Sequence, residues 1–347
     1  MTIKKILVTG ASGYLASWVI KQLLDQGHIV NATVRSLKDE VKVKHLLSMQ
    51  SEFKHQLNLF EADLMLEDSF TAAMSGCDTV IHTASPYYLD KPKDVYNDMI
   101  NPAIKGTQNV LTSVNKIQSV KKVVLTSSIV ALYNNACDYQ SIKDNKVLEA
   151  HVNNNQNPNY NSYAFSKIQA EKAAWLMQSE QSRWQLVTVH PGAIFGPSLS
   201  DRQDATSVKM LIQFLNGSFN SGVPDLHLGI VDVRDAAKLH VITALNDNTE
   251  GKYIAVGKTL SLLEIGQTLD LKQFNIPDKL PKKVLPKWLV WLVAPMIDMQ
   301  RSYIKQNVGY KIYFDNTRSA ALLDNGFIDA KDTFNEHTKQ IVASKLI

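Results

Sequence analysis

Short apolar runs alternate with amphipathic stretches along the first half of the chain. The runs are Ile6 to Val8, Ile29 to Val34, Leu57 to Ala62, Asp78 to Thr83, Lys122 to Thr126 and Leu186 to Val189. Their length and near-continuous hydrophobicity predict strands buried on both faces. Between the first two, Leu15, Val19, Ile20, Leu23 and Leu24 recur at helical spacing, and Gly27 stands where a C-terminal cap belongs. A short helix is expected over Glu67 to Met74. A long one is expected over Val95 to Val114, with Pro102 displacing its start or kinking it. Another begins at Ser162 and carries Tyr163, Lys167 and Ala170 on one face. Strands that alternate with crossover-length helical segments predict an α/β fold with a doubly wound parallel sheet. Past Ser198 the alternation fades: Val223 to Val233 looks extended, Asp235 to Leu245 helical and Tyr253 to Val256 a short strand.

The first strand runs directly into Gly10 and Gly13, and a helix follows. Gly10 permits a bend that a Cβ would obstruct. Gly13 lets backbone approach a pyrophosphate, which the helix N-terminus would hold by its N–H groups and dipole. Ala16 takes the third small position, giving G-x-x-G-x-x-A. The second strand ends at Arg35, about 20 residues beyond the turn, where a dinucleotide fold meets the adenosine ribose. An acidic residue there would favour NAD, whereas Arg35, with Lys42 and Lys44 behind it, can clamp a 2′-phosphate. The expected cofactor is NADP(H).

Composition narrows the classes. The 347 residues carry 37 Lys+Arg against 33 Asp+Glu, a net +4, too mild for a nucleic-acid partner. Cys77 and Cys137 have no metal or disulfide spacing, so no metal site is expected and a reducing, cytoplasmic setting is the simpler expectation. No apolar run reaches the ~18 residues of a membrane span, and no secretory segment opens the chain. Lys279 to Met299 combines Lys282, Lys283 and Lys287 with Trp288, Leu289, Val290, Trp291, Leu292 and Val293. It is expected to pack over a pocket, with membrane-surface attachment the competing reading.

Tyr163 and Lys167 stand at i and i+4, hence on one helix face. An ammonium beside a phenol lowers its pKa and suits it to proton transfer. Ser127 and Ser128 end the fifth strand. The order of these features resembles the extended short-chain dehydrogenase/reductase superfamily. Within it, the chain is similar to the dihydroflavonol 4-reductase-like NADP-dependent carbonyl and aldehyde reductases. The carriers are Val8-Thr-Gly-Ala-Ser-Gly-Tyr14, Ala32-Thr-Val-Arg35, Val43-Lys-His-Leu-Leu47, Ala62-Asp-Leu64, Leu125-Thr-Ser-Ser128, Tyr163-x-x-x-Lys167, and Pro191-Gly192 through Gly196-Pro197.

The resemblance implies a Rossmann domain over residues 1–197 and a smaller, mainly substrate-binding lobe over 198–347, from which about 228–256 returns to the Rossmann core. It implies reversible reduction of a ketone or aldehyde to an alcohol. Ser128 and Tyr163 would hold the carbonyl oxygen and Tyr163 would donate the proton. Lys167 would bind the nicotinamide ribose and tune Tyr163. The cofactor would lie against Gly10, Ser12, Gly13, Tyr14, Leu15, Arg35, Lys42, Asp63, Leu64, Thr83, Ala84, Ser127, Pro191, Gly192 and Ile194, besides Tyr163 and Lys167. Ser85, Tyr133 and Phe195 are the substrate-pocket candidates. Tyr133 stands where flavonoid reductases carry a polar Asn, which argues against a flavonoid and toward another apolar or aromatic carbonyl. The expected partner is that small molecule, bound by a monomer or homodimer. The competing readings are a nucleotide-sugar epimerase or dehydratase, a hydroxysteroid dehydrogenase, and an NADP-sensing regulator. Arg35 disfavours the epimerase, and an intact Ser128, Tyr163 and Lys167 set disfavours the sensor.

Overall fold

The computed structural model describes residues 2–85, 94–158, 160–200, 205–297 and 299–347. Pro86, in the His82 to Pro86 strand end, and Asp298, in the Lys279 to Met299 segment, lie outside the described residues. The strands that matter here are β1 (Lys5–Thr9), β2 (Ile29–Val34), β3 (Leu57–Glu61), β4 (Thr79–His82), β5 (Lys122–Thr126), β6 (Gln185–Pro191), β7 (Ala193–Phe195), β8 (His227–Asp232), β9 (Gly251–Ala255) and β10 (Lys258–Ser261). The helices are α1 (Tyr14–Asp25), α2 (Glu40–Glu52), α3 (Thr71–Met74), α4 (Asn101–Lys116), α5 (Ser162–Ser179), α6 (Thr206–Leu215), α7 (Val233–Leu245), α8 (Leu262–Thr268), α9 (Lys287–Val293), α10 (Arg301–Asn307) and α11 (Ala330–Ala343).

A seven-stranded sheet runs in the order β9-β6-β5-β4-β1-β2-β3. Neighbours from β6 to β3 pair in parallel. The buried runs explain this: Ile6, Leu7 and Val8 are fully buried, as are Val80 and Ile81 on β4 and Val123 and Val124 on β5. Burying such a side chain stabilises by about 1.5–3 kcal/mol, and a parallel sheet covered by helices buries both faces. Chain order reverses at β1, which has β2 on one side and β4 on the other. The carboxyl ends of strands at such a switch point form the crevice where open α/β sheets bind ligands.

The chain divides into two compact units. The first comprises Met1–Ala131, Asn153–His190 and Val233–Tyr253. Its core gathers Leu7, Phe70, Val80, Val110, Val114, Val123 and Trp184. The second comprises Leu132–Val152, Pro191–Asp232 and Ile254–Ile347. It holds a small sheet, β10-β8-β7, whose β8 pairs in parallel with β7 and antiparallel with β10. Phe195, Phe214, Leu211, Ile265 and Phe334 form its core.

Local departures from the sequence pattern have physical causes. The helix expected over Glu67 to Met74 is confined to α3. Asp68 adopts φ +61°, a left-handed conformation that an α-helix excludes, and Asp63 Oδ1 instead accepts the Met65 N–H at 2.8 Å. The long helix splits into a π-helical segment, Val95–Ile100, followed by α4, with Pro102 in the first turn of α4. There its missing N–H costs nothing. In the Lys279 to Met299 segment, α9 and the turn after it bury Val290 and Ala294 against Ile304 and Val308. Trp288, Leu292 and Met296 remain 68%, 54% and 85% exposed. Among the described residues no helix is long and apolar enough to cross a membrane.

Candidate active site

Gly10 adopts φ +69°, and a Cβ there would lie 2.9 Å from the Ala84 Cα. Both facts require glycine, because side chains rarely take that conformation and backbone blocks the space. The turn closes through the Gly13 N–H, which donates to Gly10 O at 2.8 Å. Gly13 is the N-cap of α1 and supplies no side-chain cap. The space before the helix is therefore a cradle that a side chain would fill, and it fits a pyrophosphate. Ser12 and Tyr14 flank the turn half-buried, and Leu15 is buried.

The ends of β1 and β4 are tied together. Thr9 Oγ1 meets His82 Nδ1 at 2.7 Å and accepts the Ala84 N–H at 3.1 Å. The Thr83 hydroxyl donates to Thr9 O at 2.5 Å. Thr83, Ala84 and Ser85 are all half-buried at this switch point. At the end of β2, Arg35 is exposed. Lys42 is engaged by Asp39, at 2.6 Å between Nζ and Oδ2. Asp63 and Leu64 follow β3, and Leu64 packs where a Cβ on Gly106 would meet it at 3.0 Å.

Helix α5 starts with Asn161, whose side chain accepts the Ala164 N–H at 3.0 Å. That cap sets the register that puts Tyr163, Lys167 and Glu171 on one stripe, one turn apart. Tyr163 is half-buried, whereas Lys167 and Glu171 are only 8% and 5% exposed. Lys167 Nζ donates to Thr126 O at 3.3 Å, at the end of β5. Burial lowers its pKa to about 8, against the pull of Glu171, which raises it. Ser127 and Ser128 are buried; the Ser127 hydroxyl donates to Glu171. Ser128 Oγ accepts the Val130 N–H at 3.4 Å, which leaves its own proton to donate. Burial pushes the Glu171 carboxyl up, but the Lys252 ammonium and the Ser127 hydroxyl pull it the other way, and it lies below its ordinary value. His190 and His82 are both kept neutral by burial, His82 falling to about 3.

The sequence pattern singled out Tyr163 and Lys167 but not Glu171, although the same i+4 step from Lys167 reaches it. Lys252, whose ammonium lies 3.0 Å from Glu171 Oε1, carried no signal at all, since only the fold brings β9 to α5.

In the second unit Pro191 is buried, and Gly192 is required by packing, as a Cβ there would lie 2.2 Å from Gly229 O. Ile194 pairs with Val231 on β8. Phe195 is 1% exposed, its ring 4.9 Å from that of Phe334, so it offers no open face to a ligand. Tyr133 sits edge-on to Tyr139 and Phe314, at 6.2 and 5.6 Å, and burial pushes its phenol pKa up. Among the described residues no group of His, Cys, Asp and Glu could hold a metal ion.

Residues 7–260 match the 3-beta hydroxysteroid dehydrogenase/isomerase family. Cinnamoyl-CoA reductase CAD2 of Medicago truncatula is 37% identical over 265 residues, 76% of this chain and 79% of that protein. Tetraketide alpha-pyrone reductase 1 of Arabidopsis thaliana is 36% identical over 330 residues, 93% of this chain and 97% of that protein. The solved structure of the yeast methylglyoxal/isovaleraldehyde reductase Gre2 complexed with NADPH superposes with a TM-score of 0.81 at 25% identity, covering 98% of this chain and 99% of that one. The chain therefore belongs to the 3-beta hydroxysteroid dehydrogenase/isomerase family of extended short-chain dehydrogenase/reductases and is an oxidoreductase.

Proposed function

We propose that the protein uses NADPH to reduce a ketone or aldehyde to an alcohol, reversibly. The observation that carries this reading is the α5 stripe: a half-buried phenol, Tyr163, one turn from the buried ammonium of Lys167. NADPH supplies the hydride when bound. Tyr163 donates the proton to the carbonyl oxygen, and the Ser128 hydroxyl donates a hydrogen bond to that same oxygen. Lys167 favours the phenolate that remains and holds the nicotinamide ribose. Its burial strengthens the effect, since charges interact more strongly out of water.

The cradle of Gly10, Ser12, Gly13, Tyr14 and Leu15 takes the pyrophosphate, and exposed Arg35 clamps the 2′-phosphate. Asp63, Leu64, Thr83 and Ala84 border the adenosine and the cleft. The preference for an apolar, conjugated or aromatic carbonyl is supported by the relatives, which are named for cinnamoyl-CoA and a tetraketide pyrone. Cys77 and Cys137 are free, in keeping with a reducing cytoplasm, where the enzyme works as a monomer or homodimer.

The test is NADPH oxidation against aromatic aldehydes, ketoesters, diketones, a cinnamoyl thioester and a dihydroflavonol, with NADH as control and Tyr163→Phe alongside. The expected result is turnover with NADPH that vanishes in the variant. Bound cofactor without turnover on any carbonyl would overturn the reading.

A further inference from the structure

Behind Lys167 lies a buried ionic cluster that proton donation by Tyr163 does not itself require. Glu171 Oε1 accepts from Lys252 Nζ at 3.0 Å and from Trp175 Nε1 at 3.3 Å. Its other oxygen accepts from the Ser127 hydroxyl and faces His190 Nε2 at 3.7 Å. His190 Nε2 in turn lies 2.9 Å from Thr188 Oγ1, and its Nδ1 lies 3.1 Å from Ser128 O. A neutral imidazole that donates from Nδ1 and accepts from Thr188 satisfies both contacts. The carboxylate thus holds Ser127 directly, while His190, beside it, holds the Ser128 carbonyl from Nδ1. Glu171 and Lys167 also wall a small, partly open cavity of about 10 Å³ together with Ser85, Thr107 and Ser127. That is room for about one water molecule.

A carboxylate this deep is expensive. Taking an ion out of water costs several kcal/mol, and a well-packed apolar residue would stabilise the helix as well or better. Lys252 offsets only part of that cost, because its ammonium sits toward the surface, with the side chain 21% exposed. The position of the charge on the stripe accounts for it better than packing does: Glu171 stands one turn beyond Lys167 and two beyond Tyr163.

We infer that Glu171 is a positioning residue for the reduction, whose buried negative charge keeps Lys167 and Tyr163 protonated through the working pH range and whose hydrogen bond to Ser127 sets the β5 end that carries Ser128. The inference rests on the reductase reading above. Its sign does not depend on which group limits the alkaline side. Carbonyl reduction needs a protonated Tyr163 and a charged Lys167, and a nearby negative charge favours the protonated form of both. Among the described residues, the other titratable groups facing the pair are His82 from β4, His190 from β6 and Lys252 from β9. The two histidines are held neutral by burial and do not titrate in this window. From α4 the cavity receives only Ala103 and Thr107, which are uncharged.

The experiment is the pH dependence of kcat for NADPH-driven reduction by the wild-type, Glu171→Gln and Lys252→Gln enzymes, with melting temperature as the fold control. Glu171→Gln preserves shape and an acceptor for Ser127 but removes the charge. Its alkaline limb is expected about one pH unit below that of the wild type, the scale of shift a charge one helical turn away produces. Lys252→Gln leaves Glu171 less compensated and is expected to move the limb the other way, by less. A uniform loss of kcat at every pH, with superimposable limbs, would mean that Glu171 only supports packing and would overturn the inference. If Glu171→Gln does not fold, a Lys252→Gln limb that stays in place or moves down overturns it equally. A wild-type enzyme that reduces no carbonyl, or a Tyr163→Phe variant that retains activity, would instead sink the reductase reading itself.

Discussion

Two regions of the first unit handle charge in opposite ways. At the ends of β1 and β2 the chain prepares for an anion with backbone and exposed cations: a glycine-walled cradle, Arg35 in solvent, and Lys42 tethered at the surface by Asp39. Along α5 it buries its ionisable groups, with Lys167 and Glu171 both under a tenth exposed. An exposed guanidinium stays charged at any working pH and discriminates by what it touches. A buried ammonium has its proton affinity set by its surroundings, and Lys167 falls to about 8 because burial outweighs its neighbour. On the proposed function, the first region chooses a cofactor and the second moves a proton. The two sets should therefore fail differently when altered.

The largest effect is expected from the proton-transfer side. Tyr163→Phe removes the donor while leaving the ring, so kcat should fall by about a hundred- to ten-thousandfold, the usual worth of positioned general acid catalysis. Affinity for NADPH, measured by fluorescence titration, should stay within a few-fold. A variant that instead lost cofactor binding would erase the distinction between the two regions.

On the cofactor side, Arg35→Asp should raise the Michaelis constant for NADPH by about ten- to a hundredfold, the equivalent of one or two charge-assisted hydrogen bonds. The constant for NADH should change little or fall, because a carboxylate there can bind a free 2′-hydroxyl. Equal changes for both cofactors would show that Arg35 does not touch the 2′-phosphate.

The same contrast governs how much could be read from the chain before folding. The geometry expected on the cofactor side could be read from the chain because it is local. A strand, a glycine turn and a helix are contiguous, and the Arg35 position follows from a fixed distance along the chain. The parallel order of the strands followed from doubly buried runs such as Ile6 to Val8. The shared helix face of Tyr163 and Lys167 could be read the same way. The remainder could not. Glu171 looks like one more helical charge until β5, β6 and β9 close around it, and Lys252 is about 80 residues away along the chain. Burial at Phe195 is equally invisible locally: the ring that packs on it, Phe334, comes from the far end of the chain. Tertiary burial, which decides whether a charge is decoration or machinery, is the quantity a local pattern does not contain.

Acid should expose the buried set as a stability effect. Burial lowers His82 to about 3 and His240 to about 4 in the first unit, and His337 to about 4 in the second. The unfolded histidines titrate near 6.5, so below that pH the unfolded chain takes up protons that the folded one refuses. Stability is thus fully present above pH 6.5 and is lost as pH falls from 6.5 toward 4. Each histidine steepens the loss by up to about 1.4 kcal/mol per pH unit. Melting temperatures at constant ionic strength should drop progressively between pH 7 and 5. A flat profile would mean that these imidazoles become protonated without unfolding, and the buried set would then be more open than its geometry implies.

The smallest effect is expected at Lys42, and it sharpens the comparison most. Lys42 follows the end of β2 that Arg35 closes, yet its ammonium is already engaged 2.6 Å from Asp39, the N-cap of α2 three residues back. An exposed pair of this kind contributes about 0.2–1 kcal/mol, and a bound phosphate would compete with Asp39 for the same charge. Lys42→Ala should therefore raise the Michaelis constant for NADPH only about two- to threefold and leave kcat unchanged. Asp39→Asn, by releasing the ammonium, should lower that constant by a similar factor at low salt, with the gain fading as salt screens it. If Lys42→Ala weakened NADPH as much as Arg35→Asp, the tether to Asp39 would have to give way on binding, and recognition of the 2′-phosphate would belong to both cations.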